Sequence, residues 1–218
     1  MTKLLTSVLL CCAFLSAADD RVKIDNDVVR ILKVVDTPHQ KSALHRHEYN
    51  RVMVYLDAGN MQIIYEDGHK EKQHWKAGQV AWSQAGGRHT SENVGSAPLR
   101  IVEIELKKPA PAAPPVRKRE LDPLAIDPKH NRLLFENNQV RVFRSWREPG
   151  AAEPMHEHVG AGRATVLLTD LDASVKLADG TTSDLRGSTG DVFWSGPVTH
   201  STTNRGSKKS EVIVVEIK

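Results

Sequence analysis

NDVVRILKVVDTPHQKSALHRH, residues 26–47, and NNQVRVFRSWREPGAAEPMHEH, residues 137–158, are two passages of the same chain. Both open on Asn, carry a Val-Arg pair at Val29–Arg30 and Val140–Arg141, and end on His-x-His. The run from Arg30 to His45 is as long as that from Arg141 to His156, an offset of about 111 residues. Further on, GQVAWSQAGGRHTSEN at 78–93 answers GDVFWSGPVTHSTTN at 190–204, and IVEIELK at 101–107 answers VIVVEIK at 212–218. So many matches in one order make this chain a duplicated unit.

Each copy reads as short strands. VVRILKVV, RVMVYLDA, NMQIIYEDG and RIVEIEL are rich in β-branched residues, alternate in polarity and are punctuated by turns such as YEDG and LADG. No segment keeps a helical period. Regularly spaced strands with turn signals predict an all-β sandwich or barrel, built twice. Residues 24–107 form the first unit and 131–218 the second, with a linker at 108–130 whose PAPAAPP favours a semi-rigid, extended spacer. The remainder, LDPLAIDPKHN, is expected to lie on a domain surface.

Length and composition agree with this. The chain has 218 residues, enough for one large or two small domains, and a net charge of +3 with acids and bases mixed throughout. No basic face interleaved with aromatics is visible, which argues against a nucleic-acid partner. Residues 1–18 read as a signal peptide: one lysine, the apolar run LLTSVLLCCAFLSA, and small residues Ser16 and Ala18 ahead of Asp19. Val8, Leu9 and Leu10 are too bulky for a lipoprotein site before Cys11. Cleavage after Ala18 removes Cys11 and Cys12 and leaves a periplasmic or secreted protein without thiols or stable membrane insertion. A retained membrane anchor is the other reading of this segment.

Chemistry concentrates in the repeated histidines. On a strand, alternate side chains share a face, so His45 and His47 project together about 7 Å apart at the backbone. His89 is the natural third ligand, and His156, His158 and His200 repeat the set, so six of the ten histidines recur in register. His39, His69, His74 and His130 do not recur and read as ordinary surface or satisfied side chains.

These residues resemble the two motifs of the cupin superfamily: His-x-His with a downstream Glu, then a Gly and a Pro-x-Gly-x-x-His followed by Asn. Gly78, Gly86, His89 and Asn93 match the second motif, with Gln84 in place of the proline. Gly190, Pro197, His200 and Asn204 match it in the second unit, where the loop is one residue shorter. The resemblance implies a bicupin, two tandem double-stranded β-helix (jelly-roll) barrels with ligands facing the barrel mouths. It also exposes a departure. Where metal-binding cupins carry the motif-one Glu, this chain has Arg51, and Arg163 one residue displaced across VGAG, whose glycines would tolerate a bulge that restores its aim.

An arginine offers only donors and cannot ligate a cation. Two readings follow. Either three histidines hold a divalent metal (iron, manganese, nickel or zinc) while the arginine anchors an anionic substrate group, or there is no metal and the same residues line a pocket for an anionic or sugar-like ligand. The first implies a metal-dependent oxygenase or isomerase, the second a non-catalytic binding protein. Either way the partner is a small molecule, and an oligomer is possible without being required. Tyr49 and Tyr55 share the inward parity and are candidate ligand-binding residues. Trp82 and Trp194, equivalent in the two units, read as core with Val80 and Val192. Glu105 and Glu216 recur in the closing strands, where an inward carboxylate would pair with Arg51 or Arg163 and neutralise it.

Overall fold

The computed structural model describes residues 19–218; the expected signal peptide, 1–18, lies outside the described residues. The first unit comprises β1 (Val22–Asp25), β2 (Val29–Asp36), β3 (His45–His47), β4 (Arg51–Tyr55), β5 (Gly59–Tyr65), β6 (Lys70–Trp75), β7 (Gln79–Ser83), β8 (Gly86–Asn93) and β9 (Leu99–Leu106). The second comprises β10 (Asn131–Glu136), β11 (Val140–Arg147), β12 (His156–His158), β13 (Gly162–Leu167), β14 (Leu171–Leu177), β15 (Thr182–Gly187), β16 (Val192–Ser195), β17 (Val198–Asn204) and β18 (Ser210–Ile217). Each unit folds as a five-stranded sheet facing a four-stranded one, in orders β1-β2-β9-β4-β7 with β3-β8-β5-β6, and β10-β11-β18-β13-β16 with β12-β17-β14-β15. The repeat seen in the sequence is therefore a repeat of topology, the jelly-roll barrel of the cupin fold, twice.

The two barrels share a core. In β4 every residue of RVMVY is buried, because Arg51, Met53 and Tyr55 point into the barrel while Val52 and Val54 point the other way. That other face does not meet water. Val29, Ile31, Val52, Val54, Val102 and Ile104 of the first unit join Val140, Val142, Ala164, Val166, Ile213 and Val215 of the second in one cluster. Trp82 and Trp194 pack against it with Val80 and Val192, as expected of core aromatics. The polarity alternation read from the sequence thus distinguishes barrel interior from inter-unit interface, rather than core from solvent.

Polar contacts fasten the same junction: Lys33 Nζ lies 3.0 Å from Asp191 Oδ1, Asn50 Nδ2 donates to Gln139 Oε1 at 2.6 Å, and Arg144 donates to the Gly78 carbonyl. In each barrel the motif asparagine is a structural staple. Buried Asn93 donates to the carbonyls of Asp36 and Ala97 and accepts from Gly95 N; Asn204 does the same with Arg147, Lys208 and Gly206.

The linker departs from the spacer expectation. After the prolines, Arg119–Leu121 makes one 3₁₀ turn and Pro123–Ile126 a short helix, α1. Asp122 caps α1 by accepting from Leu124 N, and Pro123 fits its first turn because no amide hydrogen is needed there. The segment is held by charge on the second barrel. Asp122 accepts from buried Arg141 at 2.8 and 3.0 Å, Asp127 lies 3.1 Å from buried Arg147, and Arg117 Nη1 lies 2.7 Å from Glu216 Oε2. Buried guanidinium groups require acceptors, and this segment supplies them.

Candidate metal centre

In the first barrel β3 brings His45 and His47 onto one face, and β8 sets His89 opposite His45. In the second, His156 lies opposite His200 in the regular β12–β17 ladder. The extra residue in QAGGRH is absorbed by a bulge between β3 and β8, where His47 pairs with Gly86, so both triads converge despite unequal loops. Ring centroids are separated by 4.9, 4.6 and 5.4 Å in the first triad and by 4.8, 4.5 and 5.3 Å in the second.

The ring nitrogens are sorted as metal ligands require. Nδ1 of His45 lies 2.8 Å from the Ala43 carbonyl and Nδ1 of His89 3.2 Å from that of Gly87. Donation to a carbonyl places the proton on Nδ1 and leaves an Nε2 lone pair free. His156 repeats this at 2.9 Å from the Pro154 carbonyl. Nε2 of His45 and His47 stand 3.1 Å apart, and those of His156 and His158 3.0 Å. Two nitrogens each ~2.1 Å from a common ion lie roughly 3.0 Å apart when they subtend about 90° and roughly 3.4 Å at the tetrahedral angle. The His-x-His spacing is what two imidazoles sharing one ion would need, and all three ligand atoms of each triad lie within 4.8 Å of one another, so His45, His47 and His89 would hold an ion together. Burial, reinforced by Arg51, pushes His47 down to about 3, and burial lowers His89. In the second barrel burial and Arg163 push His200 down to about 2 and hold His158 well below its usual value. These imidazoles are neutral at pH 7, which leaves their lone pairs free for a cation except where another donor takes them.

The two surroundings differ. The first triad faces a cavity of ≈ 900 Å³, with Lys41 and Arg46 exposed at its rim, Arg30, Arg51, Glu103 and Glu105 along one wall, and Tyr55, Trp75, Met53, Met61 and Ile101 towards the other end. Tyr55 stacks on Trp75 at 3.9 Å, and burial raises its phenol so that it stays protonated. Tyr49 falls in the bend after β3, outside the strand parity assumed for it and away from the lining. In the second barrel a smaller cavity, ≈ 330 Å³, is bordered by His200 and Arg163 but not by His156 or His158. There Phe143 stands where the first unit has Leu32, stacked 6.3 Å from His158, and Arg117 of the linker is drawn to Glu216 behind the triad.

The arginines also differ. Gly160 and Gly162, at φ +94° and +136°, take up the extra residue of VGAG in backbone that a side chain would not tolerate; a Cβ at Gly162 would lie 2.6 Å from Trp194. Arg163 is thereby aimed at the triad, its Nη2 donating to His200 Nε2 at 3.1 Å while Nη1 is buried with no partner among the described residues. Arg51 is turned aside: Nη1 donates to Glu103 Oε2 at 2.9 Å and Nη2 to Ser83 Oγ at 3.0 Å. The carboxylate that neutralises Arg51 is thus Glu103 and not Glu105, which pairs with Arg30 at 3.3 Å. Nor does Glu216 bind Arg163; it contacts Arg117 and, at 2.7 Å, His158 Nδ1. Competition decides both corrections: Glu105 is taken by Arg30, directly across from it on β2, and Glu216 by Arg117 of the linker, while Arg51 reaches Glu103 at the next same-facing position of β9. Glu103 was visible in IVEIELK against VIVVEIK, as the acid with Val214 opposite it, but comparing shared residues passes over it.

Residues 33–105 match the model of the Cupin domain family. No curated protein sequence matches the chain. Among solved structures, AerE from Microcystis aeruginosa is similar with a TM-score of 0.65 at 14% identity, over 90% of each chain. Oxalate decarboxylase from Bacillus subtilis, described with Mn(II) centers, has a TM-score of 0.61 at 12% identity, over 87% of this chain and 69% of that one. Identities this low speak to fold alone. Together with the paired sheets of each unit, they establish that the chain is two cupin barrels in tandem.

Proposed function

We propose that the first barrel is the working unit of an exported bicupin, holding a divalent metal on His45, His47 and His89 and admitting a small oxygenated ligand to the open side of that ion. The observation that carries this is the set of Nε2 atoms gathered at the wall of a ≈ 900 Å³ cavity, with Nδ1 of His45 and His89 facing carbonyls. Iron, manganese, nickel and zinc all suit three imidazoles with open positions. When bound, such an ion would supply Lewis-acid activation of a ligand oxygen, as an isomerase requires, and iron or manganese would add the redox chemistry that an oxygenase requires. The protein's own groups do the rest. Lys41 and Arg46 favour approach of an anion, and Glu105, its carboxyl raised by burial against the opposing pull of Arg30, stands beside the triad. The stacked Tyr55–Trp75 pair excludes water from the inner end. The second barrel serves as scaffold, since Arg163 already uses the His200 lone pair that an ion would need.

The test is metal content of untagged protein after dialysis against Mn²⁺, Fe²⁺, Ni²⁺ and Zn²⁺ in turn. One ion per chain is expected, abolished by His45→Ala with His47→Ala and unaffected by His156→Ala with His158→Ala. A chain that retains none of the four is not a metalloprotein, and the metal-free binding reading then replaces this one.

A further inference from the structure

We infer that Glu103 is the residue that makes the first triad available to metal and that Val214, its counterpart, leaves the second triad closed. This rests on the metal reading above and concerns why one barrel works and the other does not. Arg51 and Arg163 are equivalent, and most of what surrounds them is duplicated. Ser83 and Ser195 occupy the same register beside them on β7 and β16, and Glu105 and Glu216 lie across from them on β9 and β18. Those retained residues cannot explain why the two guanidinium groups point to different partners. Position 103 can. It faces the barrel interior two residues before Glu105, and in the second unit that place belongs to Val214, which accepts no hydrogen bond.

The physical logic is a competition for one guanidinium. A charge-assisted bond to a carboxylate is stronger than one to a neutral imidazole nitrogen, and Glu103 accepts from Arg51 at 2.9 Å with both side chains largely buried. Arg51 is thereby drawn off the histidines, and the pair presents no net charge to an arriving cation. In the second barrel Glu153 and Glu216 act on Arg163 only through their charge, and its hydrogen bond goes to His200 Nε2 at 3.1 Å, which consumes a lone pair and sets a positive charge at the triad. Glu103 is a positioning residue: it acts on the metal through Arg51. Barrel-facing Leu32, cross-strand from Glu103, is replaced by Phe143 opposite Val214, so the second barrel also lacks room for a glutamate as it stands.

The experiment reads ions bound per chain and their affinity by equilibrium dialysis with Mn²⁺ and Zn²⁺, alongside circular dichroism to verify folding. Glu103→Val, which installs what the second barrel already tolerates, is expected to weaken binding at the first triad by roughly 10–100-fold. Glu103→Gln, which keeps an acceptor oxygen, should retain more of the affinity than Glu103→Val. In the opposite direction, Val214→Glu with Phe143→Leu, placed in a chain whose first site is removed by His45→Ala and His47→Ala, is expected to restore one ion per chain, now lost on His200→Ala. A folded Glu103→Val chain within threefold of the parent affinity overturns the inference, as does a folded Val214→Glu, Phe143→Leu chain that gains no ion. If instead the parent binds no ion, the metal reading itself falls and carries this inference with it.

Discussion

Replacing Ile104 by alanine should destabilise both barrels, although the residue belongs to the first. Ile104 lies on β9 between Ile31 and Val52, is wholly shielded from solvent, and packs in the cluster that includes Val140, Val142 and Val215 of the second unit. The substitution removes three carbons, worth about 2.4 kcal/mol at ~0.8 kcal/mol each. The cavity left between two sheets that cannot close independently adds to this, so about 3–4 kcal/mol is expected within the usual range of roughly 2–5 kcal/mol. For a chain of this size ~1 kcal/mol corresponds to roughly 2–4 °C, which places the fall in Tm at about 6–16 °C. Thermal melting should remain a single transition. Hydrogen exchange supplies the decisive measurement: amide protection in β14, in the outer sheet of the second barrel, should fall in parallel with protection in β5 of the first. Ile104→Val, with one methyl lost, should shift both by only about 0.5–1.5 kcal/mol. If β5 loses protection while β14 keeps its own, or if two separate melts appear, the shared core does not couple the units.

Gly190 has φ +89° and a Cβ there would lie 2.8 Å from Leu56 of the other unit, so Gly190→Ala should cost on the order of 1–2 kcal/mol or more in urea unfolding. Gly150→Ala, at φ +75° with open space around it, should lose only the backbone part; equal losses would mean the contact with Leu56 is immaterial. Arg117→Ala strips buried Glu216 of its 2.7 Å partner and should cost about 1–3 kcal/mol, less than the roughly 3–5 kcal/mol for an isolated buried pair because Arg141 and His158 remain. Glu216→Gln on that background should recover stability, and a further loss would refute the pairing.

The metal-free protein should lose stability as pH falls below about 6.5. His200 is held near 2 when folded, so the unfolded chain binds a proton that the folded chain refuses. Its contribution is full above the unfolded value and is lost progressively as pH drops through the window towards the folded one. Urea midpoints at pH 7.5, 6.5 and 5.5 should therefore fall less steeply for His200→Gln than for the parent, and identical slopes would contradict the burial argument.

The duplication, the strand content and the two histidine triads were legible in the chain because they depend on local features, while the jelly-roll form of the barrels was implied by the resemblance to cupins. Strand period, turn residues and His-x-His spacing are properties of neighbours in sequence, and a second copy in register separates signal from accident. Three matters were decided only by tertiary structure. The sequence placed a semi-rigid spacer between the two units, but hydrophobic faces such as Val52 and Val54 reveal their partner only when both sheets are in place. The direction of Arg51 and Arg163 depended on acceptors many residues away along the chain, on the neighbouring strands β9 and β7 for Arg51 and on β17 of the facing sheet for Arg163. The unequal surroundings of the triads include Phe143 in place of Leu32 and a linker whose charges find partners on the second unit. Local pattern therefore determined what is built and where the histidines stand, while long side chains and distant segments determined which of the two sites faces a usable cavity.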